Sequence, residues 1–338
     1  TIFLGAGALG SKIIFHFARS GNFNLKIIDC DKFSPHNIVR HDLFMESSGE
    51  NKAKAIFEKI HNFNPKINST SYETNNIFNQ DLTTLNGYNW LIDTTASLNV
   101  QNWLVTNKSL NIPNRAKAEI AYKGSLGFLY IEGKKNNPRL DDLVYYVYYL
   151  GQEIQVISSW LTEENKKKYG LEYDIVDIGI GCNSPTVIMP NDSMSFHAAR
   201  FSKVLNSIYD RKDLQNNGLL LITYISDNGF ISNSFIYKVP PLEIYSCARG
   251  SGWEIRLTTY AMHKIKYEAS QHKRKETGGI LIGICNYKTK SIHVFDTIIA
   301  PPDSKRAKFY FFRGIKNLPD QVKNIKRTTG DIDRKSVV

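Results

Sequence analysis

Four groups of residues suited to a single ligand fall within the first 52 positions of the chain. They are the glycine run Gly5-Ala-Gly7-Ala-Leu-Gly10, the carboxylates Asp29 and Asp31, the pair Asn37 and Arg40, and Lys52. Glycines let the backbone approach phosphate, a carboxylate can hold ribose hydroxyls, and Arg and Lys neutralise phosphate oxygens. The set therefore predicts a site for ATP.

The glycine run needs a strand before it and a helix after it. The apolar Thr1-Ile-Phe-Leu4 precedes the run, and an apolar segment with helical spacing starts at Leu9. In such a turn Gly5 permits the sharp bend, Gly7 lets the backbone approach a phosphate, and Gly10 allows close helix–strand packing. The helix amino terminus then offers oriented N–H groups to an anion.

A second strand places the first carboxylate. Leu25-Lys-Ile-Ile-Asp29 reads as a strand that ends in an acidic residue about 20 residues after the glycines, as in a dinucleotide fold. To this point an NAD-dependent oxidoreductase fits equally well. Arg40 and Lys52 disfavour that reading, because hydride transfer needs no cations on a triphosphate. Each of the two alone is more typical of a solvated surface, so the ordered set decides.

These residues resemble the ThiF/MoeB and ubiquitin-activating-enzyme family, which adenylates the carboxyl terminus of a ubiquitin-like protein. The matching stretch runs from Gly5 to Lys52. The resemblance implies that Asp29 binds ribose, that Asp31 and Asn37 shape the nucleotide site, and that Arg40 and Lys52 contact the phosphates and act in catalysis. It also implies a Rossmann-like α/β fold, homodimers and a bound Mg²⁺.

One departure from the family concerns this magnesium ion. After the strand Trp90-Leu-Ile-Asp93 the family carries a second Asp three residues on, and this chain has Ala96 there. Magnesium binds few carboxylates and keeps water and substrate phosphates as its other ligands. Asp93 is therefore the candidate magnesium ligand, with Asp31 as the alternative.

Cys182 is the candidate acyl acceptor. It stands in the segment Asp177-Ile-Gly-Ile-Gly-Cys182, before a helical pattern over Ser193–Ile208 whose amino terminus would lower the pKa of its thiol. A thiolate could receive an acyl group, and the family resemblance implies a transfer cysteine at about this distance. The alternative is a small buried residue at a turn. Cys30 and Cys285 read as packing residues.

A second domain is expected after Pro240-Pro241, giving domains over residues 1–245 and 253–338. The chain there shows a helical pattern over 256–268, a glycine-rich strand over 277–283, a strand over 291–299 and a helix over 314–327. Glu276 directly precedes the glycine-rich strand. This order resembles part of the JAMM (JAB/MPN) metalloprotease family, which implies a partial α+β domain.

In that family the glutamate at the place of Glu276 polarises a zinc-bound water, as a general base would. The family's His-x-His motif lies beyond the helix, and this chain has no histidine after His293. No zinc ligands are therefore predicted here, and His263, His272 and His293 are expected to be surface or structural residues. Zn²⁺ would bind only if a longer protein completes the domain, and truncation at both ends is expected.

Composition fits this reading. The chain has 338 residues, which is enough for two domains, and only four cysteines with no paired spacing. A cytoplasmic location without a membrane partner is expected, since no signal peptide or spanning apolar run appears. The net charge is +11. The basic residues look scattered, which favours a solvated surface and disfavours a nucleic-acid partner.

Further strands are predicted where apolar and polar residues alternate over 112–132. Leu219–Ile225 and Ser234–Val239 predict two antiparallel strands joined at Asp227-Asn-Gly229, a hairpin signal. The tyrosine-rich stretch over 145–149 is more typical of packing, in a core or a dimer surface, than of a ligand site.

The first hypothesis is an enzyme that uses ATP to adenylate a protein carboxyl terminus and passes the acyl group to Cys182. Its partners would be a ubiquitin-like or other protein and a ubiquitin-conjugating-like domain, in a bacterial antiphage system. The alternative is a catalytically silent scaffold of the same fold that serves dimerisation or docking. It is motivated by Ala96 and by the missing zinc ligands.

Overall fold

The structure is a computed structural model that describes residues 1–65, 69–107, 109–168, 189–208, 214–247 and 251–329. The chain divides into two compact units. The first unit is Thr1–Leu140 with Asp177–Val239, and the second is Asp141–Val176 with Pro240–Val338. The segment 141–176 thus groups with the carboxyl-terminal unit, whereas the sequence boundaries 1–245 and 253–338 place it in the first domain. Those boundaries stay a prediction.

The strands and helices follow one another along the chain in a regular order. The strands are β1 (Ile2–Leu4), β2 (Lys26–Ile28), β3 (Ser71–Glu73), β4 (Trp90–Asp93), β5 (Asn114–Ala121), β6 (Leu126–Ile131), β7 (Gly218–Ile225), β8 (Ser232–Val239), β9 (Glu243–Ser246), β10 (Glu254–Leu257), β11 (Gly279–Asn286), β12 (Ser291–Ile299), β13 (Lys305–Arg306) and β14 (Phe311–Phe312). The helices are α1 (Ala8–Arg19), α2 (Lys52–Phe63), α3 (Leu98–Thr106), α4 (Leu140–Leu150), α5 (Gln155–Lys168), α6 (Asn191–Ser207), α7 (Thr259–Gln271) and α8 (Leu318–Thr328).

The first unit is built on one eight-stranded sheet with the order β3-β2-β1-β4-β5-β6-β7-β8. Strands β1 to β5 pair in parallel, and β5 to β8 pair antiparallel. Chain order reverses between β1 and β4, so a crevice must open at the carboxyl ends of these two strands. The expected Rossmann-like α/β class is confirmed for this unit.

Buried apolar runs explain the parallel strands. All residues of β1, β2 and β4 are buried, as expected for strands that are covered on both faces. Helix α1 places Ile13 and Phe17 against the sheet, where the Phe17 ring meets Phe3 edge to face at 5.3 Å. Helix α6 adds Phe201 to the same core. This packing holds the start of α1 directly beyond the end of β1.

The hairpin expected near Asp227 is confirmed. Strands β7 and β8 pair along their whole length, from Gly218 opposite Val239 to Ile225 opposite Ser232. Gly229 has φ +74°, the left-handed conformation that favours glycine. The strands expected over 112–132 are likewise present as β5 and β6, and the helix expected over 193–208 is present as α6.

The second unit contains a four-stranded sheet with the order β11-β12-β10-β9. Strand β10 pairs with β12 in parallel and with β9 antiparallel, and β11 pairs with β12 antiparallel. Helix α7 packs Ala261 and Met262 against Leu257 and Val294. Helix α8 packs through Leu318 and Val322 on another cluster with strand β11. The unit is therefore α+β, with helices on an open sheet.

Two element boundaries differ from the sequence prediction. Residues 256–268 were expected to be helical, but β10 extends to Leu257 because it pairs on both sides, and α7 begins only after Thr258 caps it. The Thr258 hydroxyl accepts the N–H of Ala261 at 3.1 Å. The helix expected over 314–327 begins at Leu318, after Asn317 in the left-handed conformation and with Pro319 in its first turn.

Gly10 offers a test of the packing that positions the first helix. A Cβ on Gly10 would lie 2.4 Å from the Gly5 carbonyl oxygen and 2.5 Å from Thr94 Oγ1, whereas a Cβ on Gly7 meets nothing within 4 Å. We expect Gly10→Ala to lower the free energy of unfolding by about 1–3 kcal/mol, since inserted atoms strain a packed core. Gly7→Ala is the matched control and should change it by less than about 0.5 kcal/mol. Urea unfolding of the two variants measures this, and equal stability would contradict the packing role.

Candidate functional site

A cavity of about 250 Å³ opens at the carboxyl ends of β1, β2 and β4, where the sheet topology requires a crevice. Its lining includes Gly5, Gly7, Asp29, Asp31, Lys52 and Thr95. The structure therefore brings together five of the eight residues that the sequence predicts to bind nucleotide. They come from three separate segments of the chain.

The glycine turn forms one wall of the cavity. Gly5 has φ +88°, and its N–H donates to the Ile28 carbonyl at 2.9 Å, which joins the end of β1 to β2. Gly7 is the cap residue of α1 and has no side chain to fill the space before the helix. The first N–H groups of a helix carry partial positive charge and lack partners within the helix, so this wall suits a phosphate.

Asp29 ties the glycine turn to the loop that follows β2. Its Oδ2 accepts the N–H of Ala6 at 2.6 Å, and its Oδ1 accepts the N–H of Asp31 at 2.7 Å. Burial raises the pKa of Asp29, and these two hydrogen bonds and Lys52 oppose that effect. A carboxylate has about four acceptor positions, so two remain for ribose hydroxyls. The geometry is compatible with the predicted role.

Lys52 supplies the positive charge of the cavity. The residue is only 3% exposed, and its ammonium lies 3.3 Å from Asp31 Oδ2. Its backbone N–H also donates to the Asp31 carbonyl at 2.9 Å. Lys52 begins helix α2, where the helix dipole disfavours a cation, so the neighbouring carboxylates must offset its charge. A ligand phosphate would serve the same purpose.

Asn51 is a residue that the sequence reasoning missed. Its Nδ2 donates to the carbonyls of Asp29 at 2.7 Å and Asp31 at 3.2 Å, and its Oδ1 accepts the N–H of Lys54 at 3.1 Å. One side chain thus caps α2 and holds the acidic loop. The available signal was an Asn directly before a helical pattern, which is typical of a helix cap.

His41 and Thr94 support the glycine turn from behind. The Nε2 of His41 donates to the Ala6 carbonyl at 2.6 Å, and its Nδ1 accepts the N–H of Leu43 at 3.0 Å. Burial lowers the pKa of His41 to about 4, so the ring is neutral at physiological pH and has a defined tautomer. The Thr94 hydroxyl donates to the Gly5 carbonyl at 2.7 Å. The sequence reasoning gave neither residue a role.

Asn37 and Arg40 lie in the loop before His41 and do not contribute to the cavity lining. The Asn37 Oδ1 accepts the N–H of Ser34 at 3.1 Å and so closes a short 3-10 turn over Pro35–Asn37. Arg40 is half-buried, and its N–H donates to the Asn37 carbonyl at 3.1 Å. Their roles with nucleotide stay predictions.

Asp93 is buried behind the cavity wall. Its Oδ1 accepts both the N–H of Thr95 at 2.9 Å and the Thr95 hydroxyl at 2.6 Å. Burial raises the pKa of this carboxyl, and Lys117 is the largest opposing influence. Asp93 is not among the lining residues, and Ala96 has no ligand atom to offer. The contacts fit a magnesium ion better at Asp31, and the ion itself stays a prediction.

The other two predicted catalytic residues do not join this cavity. Cys182 lies outside the described residues. Glu276 is exposed just before β11, and its N–H donates to the Ala307 carbonyl at 2.8 Å. Among the described residues of the second unit, the His, Cys, Asp and Glu side chains close enough to share a metal ion are Asp141, Asp142 and His293, and Glu276 is not one of them.

These three residues form a buried charge cluster with Arg256. The guanidinium donates to both oxygens of Asp142, at 2.7 to 3.1 Å, and His293 Nδ1 donates to Asp142 Oδ1 at 2.7 Å. Asp141 Oδ2 lies 3.3 Å from His293 Nε2, an ion-pair contact that lacks hydrogen-bond alignment. Both oxygens of Asp142 are thus engaged, and the guanidinium would repel a cation. The cluster fits a charge network better than a metal site.

The charges of the cluster balance when His293 is protonated. Burial disfavours the charged ring, yet Asp141 and Asp142 outweigh burial and raise the pKa of His293. Burial also opposes ionisation of Asp142, but His293 and Arg256 hold the pKa of that carboxyl well below its usual range. The cluster joins the first turn of α4 to β10 and β12. His293 is therefore a structural histidine, as expected.

Comparison with known proteins assigns the first 139 residues. The model of the ThiF family matches residues 1–139. A stretch of 71 residues is 37% identical to the ATP-dependent ubiquitin transferase-like protein Cap2 of Enterobacter hormaechei subsp. hoffmannii (strain UCI 50). That stretch is 21% of this chain and 12% of Cap2. The ThiF part of the sequence resemblance is confirmed at this level.

Solved structures of E. coli MccB are similar to the chain. MccB with ATP matches at a TM-score of 0.44 and 18% identity, over 70% of this chain and 63% of MccB. MccB with MccA matches at 0.46 and 18%, over 71% and 64%. The chain thus spans less than two thirds of each relative. None of the described helices is long and apolar enough to cross a membrane.

Asn51 provides a test of how the acidic loop is held. Asn51→Ala removes the cap of α2 and two hydrogen bonds to the loop, so we expect the free energy of unfolding to fall by about 1–2 kcal/mol. The matched control is Asp81→Ala, which removes a cap on the Thr83 N–H in an exposed turn and should cost about 0.5 kcal/mol or less. Urea unfolding compares them, and an equal loss would contradict the role of Asn51.

His293 gives a prediction of pH dependence. A folded-state pKa raised above the unfolded value of about 6.5 means that His293 contributes stability below that pH, and that this stability is lost as the pH rises through the folded pKa. We expect the wild-type melting temperature to fall from pH 6 to pH 9, and the fall to be smaller in His293→Asn.

A direct measurement is the titration of the ring in proteins labelled with ¹³C at histidine Cε1, followed by NMR. The His293→Asn variant assigns the signal and retains one side-chain donor. A titration midpoint below the unfolded pKa of about 6.5 would contradict the charge balance of the cluster.

Proposed function

We propose that the first unit binds ATP in the cavity at the glycine turn and adenylates the carboxyl terminus of a protein or peptide. The observation that carries the proposal is the convergence of Gly7, Asp29 and Lys52, from three segments, on one cavity. The preferred substrate is a ubiquitin-like protein. The chain would then be a ubiquitin-like modifier activating enzyme.

Each wall of the cavity has a role in this reaction. The open start of α1 at Gly7 would hold a phosphate, and Asp29 would accept hydrogen bonds from the ribose hydroxyls. Lys52 would stabilise the negative charge that builds up when a carboxylate oxygen attacks the α-phosphate and pyrophosphate leaves. A bound phosphate would also replace Asp31 as the partner of the buried ammonium. Magnesium would supply further charge neutralisation near Asp31.

The loop over residues 37–41 would complete the site. His41 ties this loop to Ala6 in the glycine turn at 2.6 Å, so a ligand that orders the turn could also order the loop. We propose that Arg40 then reaches the phosphates and that Asn37 keeps its capping contact and shapes the loop. This step requires a rearrangement of Arg40 on binding.

The substrate class rests on the comparisons. The ThiF match over residues 1–139 supports adenylation chemistry, and the name of Cap2 supports a ubiquitin-like partner. We further propose that the Cys182 thiolate attacks the acyl adenylate, forming a thioester and releasing AMP. A ubiquitin-conjugating-like partner, homodimers, a cytoplasmic location and an antiphage role belong to the same proposal.

For residues 253–338 we propose a relation to the JAMM (JAB/MPN) metalloproteases. The support is the order of α7, β11 and β12, with Glu276 before β11 and Gly278 and Gly279 after it. Glu276 is exposed and so accessible to a water molecule. It would act as a general base only where zinc ligands from a longer protein complete the site.

A scaffold without catalysis is the second candidate. The observation that favours it is Ala96, which has φ +53° and stands where the family carries an acidic residue. A scaffold would bind partners, and nucleotide too, without turnover. The two candidates therefore differ in whether pyrophosphate is exchanged.

The test is ATP–pyrophosphate exchange with candidate carboxyl-terminal peptides. We expect Lys52→Ala to reduce exchange by about 100-fold or more, as for removal of a group that stabilises developing charge. Lys54→Ala is the matched control, because Lys54 lies on the same helix, is exposed and pairs with Glu58 at 3.5 Å. It should retain exchange within about twofold.

Nucleotide binding separates the outcomes. If the wild type binds ATP, with affinity reduced in Lys52→Ala, but exchanges no pyrophosphate with any peptide or with cell extract, the scaffold replaces the enzyme. Tight binding of NADH in place of ATP would instead revive an oxidoreductase. Equal exchange in wild type and Lys52→Ala would remove Lys52 from the catalytic machinery.

A further inference from the structure

The end of the described chain carries much of the positive charge of the protein. Residues 301–329 contain eight basic and two acidic side chains, a net charge of +6 out of +11 for the whole chain. The basic residues are Lys305, Arg306, Lys308, Arg313, Lys316, Lys323, Lys326 and Arg327. Such a concentration creates a local positive potential that attracts polyanions.

Aromatic side chains in the same segment are exposed. Phe309 is 80% exposed, Phe312 64% and Tyr310 49%, on the ribbon formed by β13 and β14. The rings of Tyr310 and Phe312 lie 5.3 Å apart, and Lys308 lies 5.0 Å from the centre of the Phe309 ring. Leaving three rings in water forgoes the burial that normally stabilises them, so a patch of this kind marks an interaction surface.

The rings and cations line a cavity of about 600 Å³, which we call the basic aromatic pocket. Its lining residues are Asp303, Lys305, Tyr310, Phe312, Arg313, Gly314 and Ile315. Two rings, two cations and one aliphatic side chain therefore surround the same space. The pocket lies within the second unit.

The one carboxylate of the pocket is already engaged by the backbone. Asp303 accepts the N–H of Ile315 at 2.9 Å and the N–H of Lys316 at 3.1 Å. These hydrogen bonds lower the pKa of Asp303, with Lys316 adding to the effect. Asp303 thus shapes the loop beside Gly314, and Lys305 and Arg313 leave the pocket with a net positive charge.

We propose that the basic aromatic pocket binds single-stranded nucleic acid. A base would stack on Tyr310 or Phe312, and Lys305 and Arg313 would contact the phosphates on either side. Stacking on aromatic rings between basic side chains is how proteins hold single strands without reading their sequence. Bases inside a duplex are already stacked, so exposed rings of this kind favour a single strand.

The concave shape and the rings favour this ligand over two others. An anionic membrane needs apolar side chains that protrude into it, whereas the rings of this pocket line a cavity. An acidic peptide would use the cations but leave the flat ring faces without a partner of matching shape. Both alternatives can be separated from nucleic acid by experiment.

The experiment is fluorescence polarisation of the full chain with fluorescein-labelled oligothymidylate and oligouridylate of 20 nucleotides. Wild type should bind at low salt, and binding should weaken as salt is raised. The double variant Tyr310→Ala and Phe312→Ala should raise Kd by about tenfold or more, since each stacked base contributes severalfold to affinity. The double variant Lys305→Ala and Arg313→Ala should weaken binding and flatten its salt dependence.

Two controls match these variants. Phe230→Ala removes a ring that is 89% exposed in the first unit, and the double variant Lys273→Ala and Lys275→Ala removes two exposed cations outside the pocket. Both should leave Kd within about twofold. Urea unfolding of every variant checks that the fold is retained.

Several outcomes would overturn the proposal. Absence of binding at low salt would do so, and so would ring variants that bind as tightly as wild type, since attraction to a polycation alone would then explain the affinity. Duplex DNA of the same length should bind more weakly than the single strand. Polyglutamate that competes as well as the oligonucleotide would assign the surface to an acidic protein. Phosphatidylglycerol vesicles that bind through the same rings would assign it to a membrane.

Discussion

The carboxylate of Asp29 holds together the part of the molecule on which the candidate site depends. With one oxygen on the Ala6 N–H and the other on the Asp31 N–H, it fixes the glycine turn to the loop after β2. Those two hydrogen bonds and Lys52 oppose the cost of burying a charge. Ribose recognition and phosphate recognition would therefore share one anchor, and loss of Asp29 would disturb both.

Charge balance then explains the neighbours of this anchor. Lys52 brings a buried cation to the start of a helix, and Asp31 and the Asn51 cap keep it there. The second unit applies the same principle in another place, where Arg256 and His293 balance two buried carboxylates. Buried charges are costly unless they are paired, so each cluster fixes the elements that carry it.

How far the sequence predicted the site depends on how local each signal was. Gly5, Asp29 and Lys52 were found because residue type and spacing within one βαβ unit carry the pattern. Asn51 went unassigned because an amide before a helix reads as a simple cap, and its contacts with Asp29 and Asp31 require the loop to fold back. The prediction that basic residues are scattered missed residues 301–329, because net charge was considered over the whole chain and without the exposure of the nearby rings.

By itself the sequence determined the strands and helices of the first unit and the residue types around its cavity, since hydrophobic period and glycine spacing are local properties. It also determined the β7–β8 hairpin through its turn residues. Only the tertiary structure decided that Asp93 lies behind Thr95, that the tyrosine-rich stretch forms helix α4, and that Asp142 meets Arg256 and His293 more than 100 residues away. Contacts across such separations depend on strand order and helix packing, which no local pattern specifies.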